Sequence, residues 1–499
     1  MRYPYLSRWF IIAPLALRRG ARASGPPAWR LTPMQFGKDL VTLRVRLANV
    51  PGTLGNLATE LSKAGSIVQS IDILEATSSH IVRDITISVE GDEQLEKVLV
   101  RARSLAPAIE ILQVMDRILA LHEGGKIAIA IKKPVENARD LARVYTPGVA
   151  KVCRVIQRHP EKFRNYTIIP NTVAVVTDGS AVLGLGNIGP RAGMPVMEGK
   201  AMLFKRFADI DAVPILLGTQ DTRQIIDAVV AIAPTFGGIN LEDISAPRCF
   251  KIERELRERL DIPVFHDDQH GTAVVTLAGL INALRVVRKP MEGVSVVING
   301  AGAAGNSIAR ILHDVGVRDM VVCDSHGIVS AQRRDLDEEK GALLAFTNPR
   351  GLSGRLPEAL AGRDVFIGVS APDVLTAEML RTMAREPVVF AMANPDPEIL
   401  PDKAAGIARV MATGRSDFPN QINNALCFPG MFRGALDSGA RLINDEMKIA
   451  AARAIADLIP DDQRHEEYII PSVFHPELAA AVARSVAAAA VRSGAAPAA

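Results

Sequence analysis

A β-rich run, Val294-Ser-Val-Val-Ile298, leads straight into Gly300-Ala-Gly-Ala-Ala-Gly305. Helical periodicity follows, with Ile308, Ile311, Leu312 and Val315 on one face of a predicted helix over 306–315. A strand, a glycine turn and a helix in that order constrain this region to a nucleotide-binding βαβ unit. Gly300 permits the tight turn, Gly302 the close approach of a phosphate, and Gly305 the close packing of helix on strand. With Ala301, Ala303 and Ala304 between them, the whole turn is the predicted seat of a pyrophosphate at the positive end of the helix. Asp324, ending the next predicted strand, is placed to accept hydrogen bonds from the adenosine ribose. A carboxylate there repels a 2′-phosphate, which favours NAD; His326 nearby leaves NADP open.

The same glycine pattern occurs at Gly184, Gly186 and Gly189, but Pro190, Gly193 and Pro195 follow at once. No helix is expected to open there, and the segment reads as a glycine-rich loop on the substrate side. Further β-rich runs at 320–323, 364–367 and 387–391 predict a parallel, doubly wound sheet. The fold class is therefore α/β. A Rossmann-type region is expected over 274–460, preceded by an α/β catalytic region over 115–273. A C-terminal helix with a frayed tail is expected over 461–499.

Ahead of these, Val41-Thr-Leu-Arg-Val-Arg-Leu47 alternates apolar and polar residues, the period of a half-buried strand. A helix carrying Leu54, Leu57 and Leu61, strands at 66–75 and 80–90, a helix at 93–105 and a strand at 109–114 complete a βαββαβ order over 39–114. With Asn49-x-Pro51-Gly52-x-Leu54 after its first strand, this segment resembles an ACT regulatory domain. The resemblance implies side-by-side pairing and a small effector, such as an amino acid; a structural module without a ligand is the alternative. Residues 1–38 contain arginines and no acid. They read as a disordered extension or a start codon set too early, with a mitochondrial transit peptide as the second reading.

The net charge of +3 and 4% aromatic content argue against a nucleic-acid partner. No membrane span is expected. Cys153, Cys249, Cys323 and Cys427 are scattered, without zinc-site spacing, which fits a reducing compartment, the cytoplasm.

Two acidic clusters carry the chemistry. Glu242-Asp243 follows a predicted strand at 237–241, and His266-Asp267-Asp268 follows the β-rich run 262–265. Both fall past the C-terminal ends of strands, where open α/β sheets bind ligands. Carboxylates gathered there repel one another, and a hard divalent cation, Mg²⁺ or Mn²⁺, relieves that repulsion. Helix-capping acids in solvated loops are the alternative.

Leu141-Ala-Arg-Val-Tyr-Thr-Pro-Gly-Val149, Thr177-Asp-Gly-Ser-Ala-Val-Leu-Gly-Leu-Gly-Asn187, Glu198-Gly-Lys200, Glu242-Asp243 and Phe265-His-Asp-Asp-Gln-His-Gly-Thr-Ala273 occur in this order. Together they resemble the malic enzyme family in its smaller bacterial form. The resemblance implies oxidative decarboxylation of malate to pyruvate and CO₂, with NAD(P)⁺ as oxidant and a homo-oligomeric enzyme, a dimer or larger. It implies Tyr145 as general acid, Lys200 as general base and Asp267 as the carboxylate pairing with that lysine. Glu242, Asp243 and Asp268 match the metal ligands. Asn394 and Asn424 match substrate-contacting asparagines, with Asn423 as the alternative to Asn424. Larger members carry an arginine where this chain has Ala181, which leaves the backbone N–H groups of the 179–187 loop to bind malate's second carboxylate. Two other functions fit parts of the pattern: an amino-acid dehydrogenase linked to an ACT domain, and a non-catalytic effector-binding protein.

Overall fold

The structure is a computed structural model that describes residues 39–182 and 184–497. The reading of 1–38 as an extension, early start or transit peptide lies outside the described residues.

The chain begins with β1 (Asp39–Ala48), α1 (Thr53–Lys63), β2 (Ile67–Ala76), β3 (His80–Val89), α2 (Gly91–Arg103) and β4 (Ile109–Asp116). The expected βαββαβ order is found, with element ends within about two residues, the usual uncertainty of helix limits. The antiparallel sheet runs β2-β3-β1-β4, so β1 sits centrally. Leu43, Val45, Ile85 and Ile87 pack with Leu57, Leu61 and Val98 of the helices into a separate core. Four short helices follow: α3 (Arg117–His122), α4 (Ala138–Val144), α5 (Val149–Arg158) and α6 (Phe163–Tyr166). None of them buries a residue.

The next sheet is parallel, in the order β6-β5-β7-β8. Its elements are β5 (Thr172–Thr177), α7 (Pro190–Ala208), β6 (Asp211–Leu216), α8 (Thr222–Ile232), β7 (Gly238–Leu241), α9 (Arg248–Arg259) and β8 (Val264–His266). Successive residues of β5 point to opposite faces, yet all are buried. Val173 and Val175 join one core and Ala174 and Val176 another, so both faces of the sheet are covered. The helix α7 corrects the sequence expectation that none opens after Gly189. Pro190 occupies its first position, where the missing N–H has no helical partner anyway. Pro195 lies inside it at a cost of about 3 kcal/mol. Burial of Met197 and Phe204, each contributing about 1.5–3 kcal/mol, offsets that cost.

Helix α10 (Thr272–Val287) then crosses the core. Together with the turn before it, 267–287 is long and apolar enough to cross a membrane by composition, but 72% of its most apolar window is buried inside the protein. It leads to β9 (Ser295–Asn299), α11 (Ala303–Asp314), β10 (Asp319–Asp324), β11 (Gly327–Ile328), α12 (Glu338–Leu343), α13 (Leu356–Leu360), β12 (Val365–Gly368), α14 (Ala377–Leu380), β13 (Val388–Ala391), α15 (Pro401–Ala404) and β14 (Val410–Thr413). The sheet order is β11-β10-β9-β12-β13-β14, parallel except for β11. The direction of winding reverses at β9, the switch point where such sheets bind ligands.

Helices α16 (Phe428–Ser438), α17 (Asp445–Ala456) and α18 (Leu478–Arg492) return to the first parallel sheet. Phe428 meets Phe204 of α7 at 4.7 Å between ring centres, and Phe432 meets Phe265 of β8 at 5.9 Å. The expected frayed tail is packed as far as residue 496. Ala495 and Ala496 are buried, and Arg441 N–H donates to the Ala495 carbonyl at 2.9 Å.

Candidate active site

The acidic clusters meet at the C-terminal ends of β7 and β8. These strands are parallel neighbours, with Leu241 paired to His266, so the residues after them arrive side by side. Adjacent residues of an extended strand would point to opposite faces. The backbone instead turns left-handed at Asp243 (φ 54°), which brings Glu242 and Asp243 into one site. One carboxylate oxygen from each of Glu242, Asp243 and Asp268 lies within 4.8 Å of the others. Asp268 accepts the Asp243 backbone N–H at 2.8 Å. Asn240, two residues before Glu242 and on its side of the strand, donates to it at 2.9 Å.

Burial, then mutual repulsion with Lys200 opposing, pushes these acids up: Glu242 to about 7 and Asp268 to about 6. For Asp243 burial, Asp268 and Glu242 act together, giving about 9. The Asp243 Oδ2 atom is buried and has no hydrogen-bond partner. An unpaired buried carboxylate oxygen facing two other acids fits a hard divalent cation bound through oxygen.

Lys200 projects from α7 into the same place. Its Nζ lies 2.5 Å from Asp267 Oδ2, 2.8 Å from Glu242 Oε1 and 4.2 Å from the centre of the Phe428 ring. Burial works to lower the ammonium, but Asp267 and Glu242 overrule it and hold it well above the usual lysine range. Asp267 is itself raised by burial, to about 7, against the pull of Lys200. The lysine and acids are thus a coupled charge network rather than independent groups.

Asn394 and Asn424 are carried to the same region. A Cβ on Gly184 would lie 3.0 Å from Pro395 Cδ and 3.5 Å from the Asn394 carbonyl oxygen, so the glycine loop rests on Asn394-Pro395. Asn424 Cβ is 3.2 Å from where a Cβ on Gly271 would be. The Asn423 side chain instead caps the following turn by accepting Ala425 N–H at 2.8 Å. Among the described residues of the 179–187 loop, most backbone N–H groups are already engaged. Gly179, Ser180, Ala181, Val182, Leu185 and Gly186 already donate within the protein. Tyr145 is not brought in: its ring lies at the end of α4, 66% exposed, with no hydrogen bond to Lys200 or the acids.

Sequence reasoning did not single out Asn240, Phe428 or Arg248, whose Nη2 pairs with Asp178 at 2.8 Å beneath the loop. The two-residue spacing of Asn240 and Glu242 on a strand was the available signal for Asn240. Nothing local marks Phe428, more than 200 positions from Lys200.

The second glycine pattern forms the predicted strand–turn–helix. Gly300 has φ 122°, and a Cβ there would reach within 2.9 Å of the Val369 carbonyl carbon. A Cβ on Gly305 would overlap the Gly300 carbonyl oxygen, whereas Gly302 faces open space. A cavity of about 640 Å³ begins at Gly300, Ala301 and Gly302 and runs to Asp324 and Lys340. Ala303 and Ala304 form the first turn of α11. Asp324 ends β10 at this cavity and is already held by protein groups. Arg333 grips both of its oxygens at 2.7 and 3.0 Å, Lys340 adds 2.9 Å, and His326 N–H another 2.9 Å. Arg333 and Lys340 offset the charge of this carboxylate, which weakens its repulsion of a 2′-phosphate.

The profile described as malic enzyme, N-terminal domain, matches residues 124–257, and that described as malic enzyme, NAD binding domain, matches 269–491. The NAD-dependent malic enzyme of Geobacillus stearothermophilus is 53% identical over 461 residues, covering 92% of this chain and 94% of that enzyme. The bifunctional malic/malolactic enzyme of Bacillus subtilis (strain 168) is 53% identical over 388 residues, 77% of this chain and 94% of that enzyme. The crystal structure of malic enzyme from Pyrococcus horikoshii superposes with a TM-score of 0.74 at 49% identity, covering 76% of this chain and 91% of that one. Acid cluster, buried lysine, dinucleotide turn and these likenesses agree: the chain belongs to the malic enzyme family.

Proposed function

We propose that Lys200 is the base and Tyr145 the acid with which this malic enzyme converts malate to pyruvate and CO₂, reducing NAD⁺ or NADP⁺. The observation that carries the reading is Lys200 Nζ held between Asp267 and Glu242 at the edge of the acid cluster. Lys200, once neutral, accepts the C2 hydroxyl proton as hydride leaves C2. Asp267 holds the amine toward that oxygen. Glu242, Asp243 and Asp268 would hold a Mg²⁺ or Mn²⁺ ion, which would supply charge stabilisation for the oxygen at C2. After CO₂ leaves C4, Tyr145 gives a proton to C3. Asn394 and Asn424 orient malate; Asn423, spent on a cap, does not. Gly300–Gly305 would hold the pyrophosphate of the dinucleotide, and Asp324, which lines the same cavity, its ribose. Initial rates with malate and Mn²⁺, comparing NAD⁺ with NADP⁺, test the reading. Lys200→Ala is expected to lose malate oxidation, and near-normal turnover in that variant would remove Lys200 as the base.

The exposed position of Tyr145 supports a homo-oligomer. Within 16 residues before it, Ile129, Ile131, Leu141 and Val144 are also exposed, on a stretch whose helices bury nothing. An apolar surface of this extent marks an interaction site. A second copy of the chain is the partner that covers it and sets Tyr145 against the neighbouring Lys200. The βαββαβ segment is read as an ACT domain that binds a small effector, an amino acid being the first class to test by rates with and without a panel.

A further inference from the structure

Between β8 and α10 the chain makes a π-helical turn, Asp267–Gly271. Such turns are rare and cluster at functional sites. This one carries both Asp267 and Asp268. Gly271 sits in it with ordinary right-handed helical angles, φ −60° and ψ −47°. Its backbone therefore does not require glycine, which costs about 1 kcal/mol relative to alanine in a helix. Space requires it. A Cβ on Gly271 would overlap Asp267 Oδ1 and come within 2.8 Å of Asp267 Cγ. A helical side chain covers the turn N-terminal to its own Cα, so any side chain at 271 lies over residue 267. Asp267 Oδ2 is then aimed at Lys200, while Oδ1 is buried without a partner.

The far side of the turn is tied down separately. His270 Nε2 bonds both oxygens of Glu253, on α9, at 2.8 and 2.9 Å. Glu253 is 6% exposed. A buried carboxylate–imidazole pair resists movement, because separating it strands a buried polar group on each side.

We propose that Gly271 and Glu253 are positioning residues for the reaction. Gly271 leaves the volume in which the Asp267 carboxylate must lie to hold Lys200. Glu253, through His270, fixes the turn on which Asp267 and Asp268 ride. The proposal rests on the reading of Lys200 as base with Asp267 as its partner.

The test uses the full-length enzyme with Mn²⁺, malate and NAD(P)⁺. Gly271→Ala is expected to lower kcat about a hundredfold, the loss typical of a small misplacement of a reacting group. Malate KM, and Mn²⁺ affinity read by electron paramagnetic resonance, should stay near normal. The isotope effect with malate deuterated at C2 should rise. The deciding comparison is Asp267→Ala against the Asp267→Ala/Gly271→Ala double variant. With the Asp267 carboxylate gone the added methyl meets only Asn424 Cβ, at 3.2 Å, so the two should have nearly equal kcat; a second loss of about a hundredfold would overturn the role of Gly271. If Gly271→Ala does not fold, folding of the double variant supports the steric argument, and failure of both overturns it. Glu253→Ala is expected to weaken Mn²⁺ binding and kcat together, with Glu253→Gln intermediate; unchanged Mn²⁺ affinity in Glu253→Ala would overturn the role of Glu253. If Asp267→Ala itself keeps full turnover, the pairing of Asp267 with the base has failed, independently of the positioning argument.

Discussion

Lys200 shows how a single side chain can be pulled both ways. Burial alone favours the neutral amine that a base requires, yet two carboxylates within 2.8 Å keep the ammonium. The sequence pointed to Asp267 as the partner of the lysine but not to Glu242, which also touches it. Neutralising that excess negative charge is therefore part of activation. Two outcomes follow at this scale. Lys200→Ala should reduce malate turnover by about 10²–10⁴-fold, measured as initial rates at saturating malate. Metal-free enzyme should lose stability as pH rises. Glu242 and Asp243 titrate near 7 and 9 in the fold, above their usual values, so the folded state holds more protons than the unfolded one. Their stabilising protonation is complete below about pH 4 and is lost as pH climbs through the folded values. Melting temperature should fall between pH 6 and pH 9 without metal, and Mn²⁺ should flatten that slope. A flat metal-free profile would mean that the three acids are not coupled as their burial implies.

At the scale of elements, the dinucleotide turn was fully legible and α7 was not. The turn announces itself because three glycines at fixed spacing answer three local steric demands. Gly305→Ala should weaken NADH binding more than tenfold, since its methyl overlaps the Gly300 carbonyl oxygen and must push α11 off β9. Fluorescence titration of NADH checks this, and Mn²⁺ affinity should be unchanged. Helix α7 was missed because proline chemistry is local and its compensation is not. Met197, Lys200, Ala201 and Phe204 are buried where α7 packs on β5, β6 and α16, the last more than 200 residues on. The pairing of Asp324 was hidden for the same reason. Its cationic partners Arg333 and Lys340 lie 9 and 16 residues on, with no motif to mark them.

For the whole molecule, the separation of the proposed acid and base is what matters. Tyr145 and Lys200 are 55 positions apart, and the fold buries one while exposing the other. If a second copy closes the site, inactive Tyr145→Phe and Lys200→Ala enzymes, mixed after reversible dissociation, should regain part of the wild-type rate. No recovery in verified hetero-oligomers would place both groups within one chain.

What the sequence determined by itself is whatever depends on neighbours along the chain. It gave the βαββαβ order from period-2 and helical spacing, the dinucleotide turn from its glycines, and the acid pairs from their position after strands. What only the tertiary structure decided is whatever depends on neighbours in space. Parallel pairing of β7 with β8 gathers Glu242, Asp243 and Asp268. The return of α16 sets Phe428 beneath Lys200, and the packing of the tail orders Ala495 and Ala496. Local pattern fixes which residues can do chemistry; long-range packing fixes their separation, and the charge they carry depends on that separation.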